Sequence, residues 1–342
     1  MKVFMYLTAS EEDRILIFEM DPQTGRLERR DTVDVQGRPA PLAVDPERRF
    51  LYVGRRDVPA ISSFAIDPGT GGLSSVGTAP LDADPCYLAT DRTGRFLLSA
   101  YYAAGKAGVH AIGEDGAIGP LPVEWIDTAP GAHSMQTDRS NSFAFVPHIG
   151  GRTGPNLILQ FRFDENTGRL TPNSVPRVSP PVDGEGPRHF CFHPTRDILY
   201  FSNEQGCSVT GYNFNSSAGT LSAFQTVSTL PDGNEGTNSC AQIQISPSGK
   251  FLYAPNRGHD SIACFSVDAS TGHLTSIGRV AAEPVPRAFS IDPSGRFLFA
   301  AGLESGRLAS YRIDDETGEL DPLEVYNAGK GPMWVLLTGL SG

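Results

Sequence analysis

The sequence predicts an all-β fold in which one structural unit is repeated seven times around a ring. Each unit contains a short apolar strand of the Phe-Leu-Tyr type, and a turn with glycine follows the next strand. The apolar strands begin at Phe4, Phe50, Phe96, Phe143, Ile198, Phe251 and Phe297, and the turns lie at residues 24–25, 71–72, 115–116, 167–168, 218–219, 271–272 and 317–318. Units of about 46 to 55 residues with several short strands are typical of propeller blades, so we expect a seven-bladed β-propeller.

The two chain ends are predicted to close the ring. The innermost strand of each blade should precede an Asp-Pro-like turn, and six such segments occur, at residues 41–45, 86–91, 133–138, 188–193, 241–246 and 287–292. The seventh is missing near the N-terminus, but residues 333–337 have the apolar character of a strand. We expect this C-terminal segment to pair with residues 3–7, which removes free sheet edges. The whole chain, residues 1–342, then forms one propeller domain.

The composition narrows the possible environments and partners. A chain of 342 residues often forms two domains, but here the repeat is unbroken and no linker rich in Pro or Ser interrupts it. We find no apolar run long enough to cross a membrane and no signal peptide, so no membrane partner is expected. The formal net charge of −11 disfavours nucleic acid, although locally concentrated arginines can still bind an anionic small molecule.

The cysteines indicate a reducing compartment. Their number is odd and no C-x-x-C motif occurs, which argues against a disulfide framework and against a zinc site. We expect them to be reduced, small apolar residues between blades, in a protein of the cytoplasm. The five positions are Cys86, Cys191, Cys207, Cys240 and Cys264.

Overlaying the seven repeats brings distant polar residues to one end of the central channel. The first ring level, near the start of the innermost strands, holds Ala40, Cys86, His133, Arg188, Ala241, Arg287 and Met333. The second ring level, just after the Phe-Leu-Tyr strands, holds Ser10, Arg56, Tyr102, Ile149, Glu204, Arg257 and Leu303. Adjacent antiparallel strands place the start of one beside the end of the next, so both levels lie at the same end. The polar set predicted to converge there is Arg56, Tyr102, His133, Arg188, Glu204, Arg257 and Arg287.

This polar set favours a binding site for an anion. Arg and Glu are rarely buried between blades unless they are paired, and Glu204 could simply neutralise Arg188 or Arg257 at a solvated channel mouth. Four arginines around a single carboxylate, however, leave positive charge that a ligand can match. Because the planar guanidinium group binds carboxylate or phosphate through two hydrogen bonds, we expect an anionic substrate there.

Other polar residues are assigned mainly to structural roles. His189 and His193 are four residues apart, which is about 13 Å in a strand and too far to bind one metal ion. We expect His193 to replace the turn Asp and His189 to pack or hydrogen-bond locally. Trp334 is assigned to core packing in the closing strand. His148, after Pro147, is placed at the rim of the site, either supporting substrate binding or exposed.

Several segments resemble a known family. They are Gly-Pro-Arg-His-Phe-Cys-Phe-His-Pro at 186–194, Asn-Glu at 203–204, Asn-Arg at 256–257, Pro-Arg at 286–287 and Gly-Pro-Met-Trp-Val at 331–335. Together they are similar to the seven-bladed propeller lactonases. This group comprises the bacterial propeller-type 6-phosphogluconolactonases and the fungal 3-carboxy-cis,cis-muconate lactonizing enzyme. The resemblance covers essentially the whole chain.

The resemblance implies which residues are catalytic. A His, two Arg and a Glu are the proposed active-site residues of the muconate enzyme, and by motif they correspond to His133, Arg188, Glu204 and Arg257. The family needs no metal or organic cofactor. One departure is the longer segment at 147–156, whose three glycines, Gly150, Gly151 and Gly154, are expected to reshape the rim of the pocket.

The leading hypothesis is a hydrolase that opens an anionic sugar lactone through attack by water. Either Glu204 or His133 serves as general base and the other as general acid, while Arg188 and Arg257 lie near the developing negative charge. The residues expected to hold the remainder of the substrate, including a remote phosphate or carboxylate, are Arg56, Arg287, Tyr102 and His148.

Two alternatives remain open at this point. The first is a muconate-type cycloisomerase, because the same arginines can clamp carboxylates while His133 or Glu204 delivers a proton to carbon. The second is a non-catalytic scaffold, which should carry an apolar binding patch instead of a charged channel mouth.

Overall fold

The computed structural model describes residues 1–150, 154–234 and 236–341, and these form seven antiparallel sheets arranged as a seven-bladed β-propeller. Blade 1 contains β29 (Pro332–Leu340), β1 (Lys2–Ala9), β2 (Arg14–Met20) and β3 (Leu27–Asp34), with a short 3₁₀ helix at Ser10–Glu12. Blade 2 contains β4 (Pro39–Val44), β5 (Phe50–Arg55), β6 (Ala60–Ile66) and β7 (Leu73–Pro80). Blade 3 contains β8 (Tyr87–Thr90), β9 (Phe96–Tyr101), β10 (Lys106–Ala111) and β11 (Glu124–Asp127).

The remaining blades follow in chain order. Blade 4 contains β12 (Gln136–Thr137), β13 (Phe143–His148), β14 (Leu157–Phe163) and β15 (Leu170–Val178). Blade 5 contains β16 (Pro187–Phe192), β17 (Ile198–Asn203), β18 (Ser208–Asn215) and β19 (Thr220–Ser228). Blade 6 contains β20 (Ser239–Cys240), β21 (Gln244–Ile245), β22 (Phe251–Arg257), β23 (Ser261–Val267) and β24 (Leu274–Ala281). Blade 7 contains β25 (Pro286–Ile291), β26 (Phe297–Gly302), β27 (Arg307–Ile313) and β28 (Leu320–Asn327).

The chain ends close the ring as predicted. Strand β29 pairs antiparallel with β1, with Leu7 opposite Val335 and Met5 opposite Leu337. Blade 1 is therefore built from both ends of the chain. Among the described residues, no helix is long and apolar enough to cross a membrane.

The two repeated sequence motifs contact each other across every blade boundary. The first residue of each apolar strand covers the turn glycine of the next blade, and all seven glycines have φ between 71° and 82°. A side chain there would be strained by the left-handed backbone and would also overlap the covering side chain. The seven pairs are Phe4–Gly71, Phe50–Gly116, Phe96–Gly168, Phe143–Gly219, Ile198–Gly272, Phe251–Gly318 and Phe297–Gly25.

Tyrosines strengthen this contact at three blade boundaries. The hydroxyl group of Tyr6 donates a hydrogen bond of 2.9 Å to the carbonyl oxygen of Gly71. Tyr200 and Tyr253 make the same bond to Gly272 and Gly318, at 2.7 and 2.9 Å. The Phe-Leu-Tyr motif therefore contributes to the contacts between blades as well as to the core.

Two innermost strands are interrupted where the sequence predicts continuous segments. In blade 4 only Gln136–Thr137 forms a strand, and in blade 6 the strand is divided into β20 and β21. The neighbouring strands carry Pro147 and Pro255 opposite these gaps, and each proline accepts one hydrogen bond, from His133 N and Ala241 N. Because proline has no N–H to donate, the ladder breaks at these places.

The expected role of His193 is confirmed. In other blades the turn carboxylate accepts backbone N–H bonds, as Asp138 Oδ1 does from Ser142 and Phe143. His193 ends its strand at the same position, and its Nδ1 accepts bonds of 3.2 Å from the N–H groups of Thr195 and Arg196.

Candidate active site

The first ring level is shaped by β-bulges at the start of the innermost strands. In β16, Pro187 and His189 pair with consecutive residues of β17, which leaves Arg188 as the extra residue. Arg287 is the extra residue in β25, and Met333 occupies the equivalent place in β29. A bulge changes the direction of a side chain, and each of these three follows a proline that begins its strand.

The second ring level is held by one repeated backbone hydrogen bond. Glu204 N–H donates to Gly186 O at 2.7 Å, and Arg56 N–H donates to Gly37 O at 2.8 Å. The corresponding acceptor in blade 7 is Val285, which has the left-handed backbone of those glycines, with φ of 56°. With Ser10 and Ile149, which make the same bond to Gly331 and Gly131, five of the seven second-level positions are equivalent in this respect.

The two levels surround a small pocket in the central channel whose cavity volume is about 10 Å³. Five residues of the first ring level line it, together with Arg56 of the second level and three residues outside both levels. The lining residues are Ala40, Cys86, Arg188, Arg287, Met333, Arg56, His189, Gln242 and Trp334.

Glu204 lies between two arginines beside this pocket. Its Oε2 is 2.7 Å from Arg188 Nε and 3.0 Å from Arg257 Nη2. Arg188 also lines the pocket, so it connects this ion-pair cluster with the pocket itself. The side chain of Arg188 is 2% exposed and that of Glu204 is 19% exposed. Both ion pairs use Oε2, and in the described part of the chain Oε1 has no hydrogen-bond partner.

The arginines have more hydrogen-bonding capacity than the described residues satisfy. Arg188 Nη1 and Arg257 Nε are buried without a partner, although Arg257 Nη2 donates to Cys240 O at 2.6 Å. Arg287 makes no ion pair or side-chain hydrogen bond with any described residue. Burial, reinforced by the neighbouring Arg257, lowers the pKa of Arg188 to about 9 and that of Arg287 to about 10. An anion in the pocket would relieve this repulsion.

Asp84 changes the predicted charge balance, which counted one carboxylate for four arginines. Its Oδ2 is 2.8 Å from Arg56 Nη2 and 3.3 Å from Arg56 Nε. Two carboxylates, not one, therefore face the four arginines, and Arg56 lines the pocket while paired with Asp84. Asp84 precedes Pro85 as Gly186 precedes Pro187, so extending the overlay by two residues would have found it.

His133 is buried next to a second imidazole. Its Nδ1 lies 3.2 Å from His189 Nε2. Burial, followed by the charge of Arg188, holds the pKa of both rings well below 6.5, so both are neutral at pH 7. Tyr102, which is 43% exposed, contacts His133 edge-on with 5.8 Å between ring centroids.

Sequence reasoning missed an aromatic wall of the pocket. His189 and Trp334 were assigned to local packing and to the core, but both line the pocket. Tyr87 supports them, with ring centroids 5.1 Å from His189 and 5.7 Å from Trp334. Both residues immediately follow a bulged residue of the first ring level, and simple strand alternation does not reveal this.

His148 does not occupy an exposed rim position. It lies at the end of β13 and is fully buried, and neither ring nitrogen has a hydrogen-bond partner among the described residues. Burial lowers its pKa to about 4. The structure does not place it in the pocket lining. Of the glycines expected to reshape the rim, Gly151 lies outside the described residues.

No group of three or more His, Cys, Asp or Glu side chains within the described ranges could hold a metal ion. The groups available for chemistry are a carboxylate with a free oxygen, guanidinium groups with free donors and two neutral imidazoles. Such a set can activate water, bind an anion and stabilise a negatively charged oxygen.

Comparisons with known proteins agree with this architecture. The family profile described as "Lactonase, 7-bladed beta-propeller" matches residues 4–337. A protein of Pectobacterium carotovorum subsp. carotovorum (strain PC1) named 6-phosphogluconolactonase is 36% identical over 340 residues, which cover 99% of this chain and 100% of that protein. A protein of the same name from Serratia proteamaculans (strain 568) is 36% identical over 335 residues, covering 98% of each chain.

Two crystal structures have the same fold. A protein from Bacteroides fragilis NCTC 9343 superposes with a TM-score of 0.89 and 26% identity, covering 98% of each chain. The periplasmic gluconolactonase of Pseudomonas aeruginosa gives a TM-score of 0.89 at 23% identity, covering 99% of this chain and 100% of that one, and shows the fold alone. With a family match over nearly its full length and relatives of the same length, the chain belongs to the seven-bladed β-propeller lactonase family.

Proposed function

We propose that the protein hydrolyses a phosphorylated sugar lactone of the 6-phosphogluconolactone type. The observation that carries this proposal is the free donor capacity at the pocket: Arg188 Nη1 and the nearby Arg257 Nε have no partner among the described residues, and Arg287 lines the pocket without an ion pair. The names of the relatives, 6-phosphogluconolactonase, support the same reaction.

The charge balance supports a doubly charged ligand. Four arginines face the carboxylates of Glu204 and Asp84, while the two imidazoles are neutral. Two positive charges therefore remain without a counter-ion in the protein. A phosphate monoester carries about this much negative charge at pH 7. We assign the phosphate to Arg287, because it lines the pocket and has no partner among the described residues.

The proposed reaction is direct addition of water to the lactone carbonyl. Glu204 Oε1 removes a proton as the water oxygen bonds to the carbonyl carbon, and Arg188 and Arg257 stabilise the resulting oxyanion. The bond between that carbon and the ring oxygen then breaks. The ring oxygen receives the proton taken by Glu204, directly or through the neutral His133 ring, and the product is the open-chain acid.

Cys86 is not suited to replace water as the nucleophile. Its sulfur lies 3.3 Å from Ala100 O and 3.4 Å from Ala132 O, where the thiol can donate a hydrogen bond. Burial raises its pKa to about 11, so little thiolate exists at pH 7. We therefore propose a mechanism without an acyl-enzyme.

The two alternatives have less support. The charged pocket differs from the apolar patch expected of a scaffold. A muconate cycloisomerase would use the same arginines, but the curated relatives reported above are named for hydrolysis of a phosphorylated lactone. The location in the cytoplasm also stays a proposal, based on the five free cysteines, and cell fractionation would test it.

Incubation of the purified protein with freshly prepared 6-phosphogluconolactone tests the function. We expect acid release well above the spontaneous rate, followed with a pH indicator in weak buffer. A parallel reaction with 3-carboxymuconate, followed by ultraviolet absorbance, tests the cycloisomerase. Activity on muconate alone would replace the proposal, and activity on neither substrate would contradict both enzymatic functions.

A further inference from the structure

The hydrogen bond between His133 and His189 gives a role to a pocket residue that the sequence assigned only to local packing or hydrogen bonding. We propose that His189 is a positioning residue for His133, fixing its ring orientation and coupling its tautomer to that of His189. This inference rests on the proposed lactone hydrolysis for its kinetic consequence, but its structural part can be tested without any substrate.

The geometry leaves room for one proton between the two rings. His133 Nδ1 and His189 Nε2 are 3.2 Å apart, and a hydrogen bond there needs one donor and one acceptor. Because both rings are neutral, each carries a single N–H. If His133 donates, its Nε2 holds a lone pair, whereas if it accepts, its Nε2 carries the proton. The contact therefore determines whether Nε2 of His133 can accept or donate a proton in the reaction.

The surroundings of His189 are suited to orienting a ring. Tyr87 and Trp334 contact it, with ring centroids 5.1 and 6.0 Å away. The His189 side chain is buried and forms part of the pocket lining. A side chain locked by packing on one side and hydrogen-bonded on the other is the usual arrangement of a supporting residue.

Positive charges around the pair disfavour a second proton. Arg188 and Arg287 act on both rings, and Arg257 also acts on His189. An isolated neutral His133 could exchange between its two tautomers. The bond to His189 couples the two tautomers, because a donor on one ring requires an acceptor on the other.

Two substitutions separate the hydrogen bond from the packing. His189→Phe keeps a flat ring against Tyr87 and Trp334 but has no nitrogen. His189→Gln can place an amide near the position of Nε2 and so restore a hydrogen bond. We expect His189→Phe to lower kcat by on the order of 10²-fold, the cost of a misplaced catalytic group, while KM changes little. His189→Gln should recover at least part of this loss.

The matched control is His110→Phe, the same change at a buried histidine whose ring nitrogens have no partner in the described part of the chain. It should leave kcat and KM unchanged. Equal kcat values for wild type and His189→Phe would overturn the inference. So would equal losses in the Phe and Gln variants, which would indicate packing alone.

Nitrogen-15 NMR of the ligand-free protein provides the second readout. The tautomer populations of the His133 ring should differ between wild type and His189→Phe, and those of His189→Gln should be closer to wild type. An unchanged tautomer in His189→Phe would contradict the inference even if the wild type proved inactive on the lactone. Failure of the proposed function is recognised separately, by the absence of wild-type hydrolysis.

Discussion

Replacing Glu204 by Gln is the most informative perturbation of the site. The amide keeps the shape of the carboxylate and an oxygen that can accept a bond from Arg188, but it removes the base and a negative charge. If Oε1 activates water, kcat on 6-phosphogluconolactone should fall by about 10²- to 10⁴-fold, the usual contribution of general acid–base catalysis.

The same substitution should also affect stability. Glu204 Oε2 contacts two guanidinium groups, and the Arg188 side chain is almost completely buried. Removing one member of a buried ion pair costs about 3 to 5 kcal/mol. Glu204 is 19% exposed, and Gln keeps one hydrogen bond. We therefore expect the free energy of unfolding to fall by about 3 kcal/mol or less. Saturating phosphate should restore part of the thermal stability by supplying a negative charge.

The appropriate control is Glu283→Gln, which removes a carboxylate paired with Arg307 at 2.8 Å, outside the pocket lining. Its turnover should equal that of wild type. Initial rates of acid release and thermal melts with and without phosphate measure the two effects. Nearly full turnover in Glu204→Gln would refute its role as base and transfer that role to His133.

Three further predictions concern other parts of the molecule. Gly318→Ala should lower the melting temperature by several degrees in thermal denaturation, because Gly318 has φ of 75° and lies under Phe251. An unchanged melting temperature would contradict the role of this contact between blades. Asp84→Asn should lower KM for the phosphorylated lactone, because Arg56 loses its counter-ion, and a raised KM would show instead that Asp84 is needed to orient Arg56. Burial lowers the pKa of His110 to about 4, so the unfolded chain binds a proton at higher pH than the folded protein does. Stability should therefore fall between pH 6.5 and 4, and His110→Phe should reduce this fall by about 3 kcal/mol in denaturant titrations; equal pH dependence would refute the assignment.

The repeat made much of the fold predictable, because seven copies of one pattern report on the same structure. The overlay also identified residues that the structure brings together, such as Arg188, Glu204 and Arg257. It missed Asp84 because a partner for Arg56 can come from a loop outside the two compared positions.

Local departures from strand geometry explain the other differences. Two consecutive residues, Arg188 and His189, both reach the pocket because Arg188 is the extra residue of a bulge, which strict strand alternation does not predict. The interrupted strands lie opposite Pro147 and Pro255. The residues that cause the interruptions are therefore in the neighbouring strands and not in the interrupted strands themselves. His148 has the residue type of a site but lies in the interior, and residue type alone does not reveal burial.

The selectivity for phosphate tests the central claim most directly. We predict that wild type prefers 6-phosphogluconolactone over unphosphorylated gluconolactone in kcat/KM by about 10- to 150-fold, since hydrogen bonds to charged groups contribute about 1.5 to 3 kcal/mol. Arg287→Ala should abolish most of this preference by raising KM for the phosphorylated substrate, with little change for the other. Equal kcat/KM values for the two lactones in wild type would contradict the assignment of this pocket to a phosphorylated substrate.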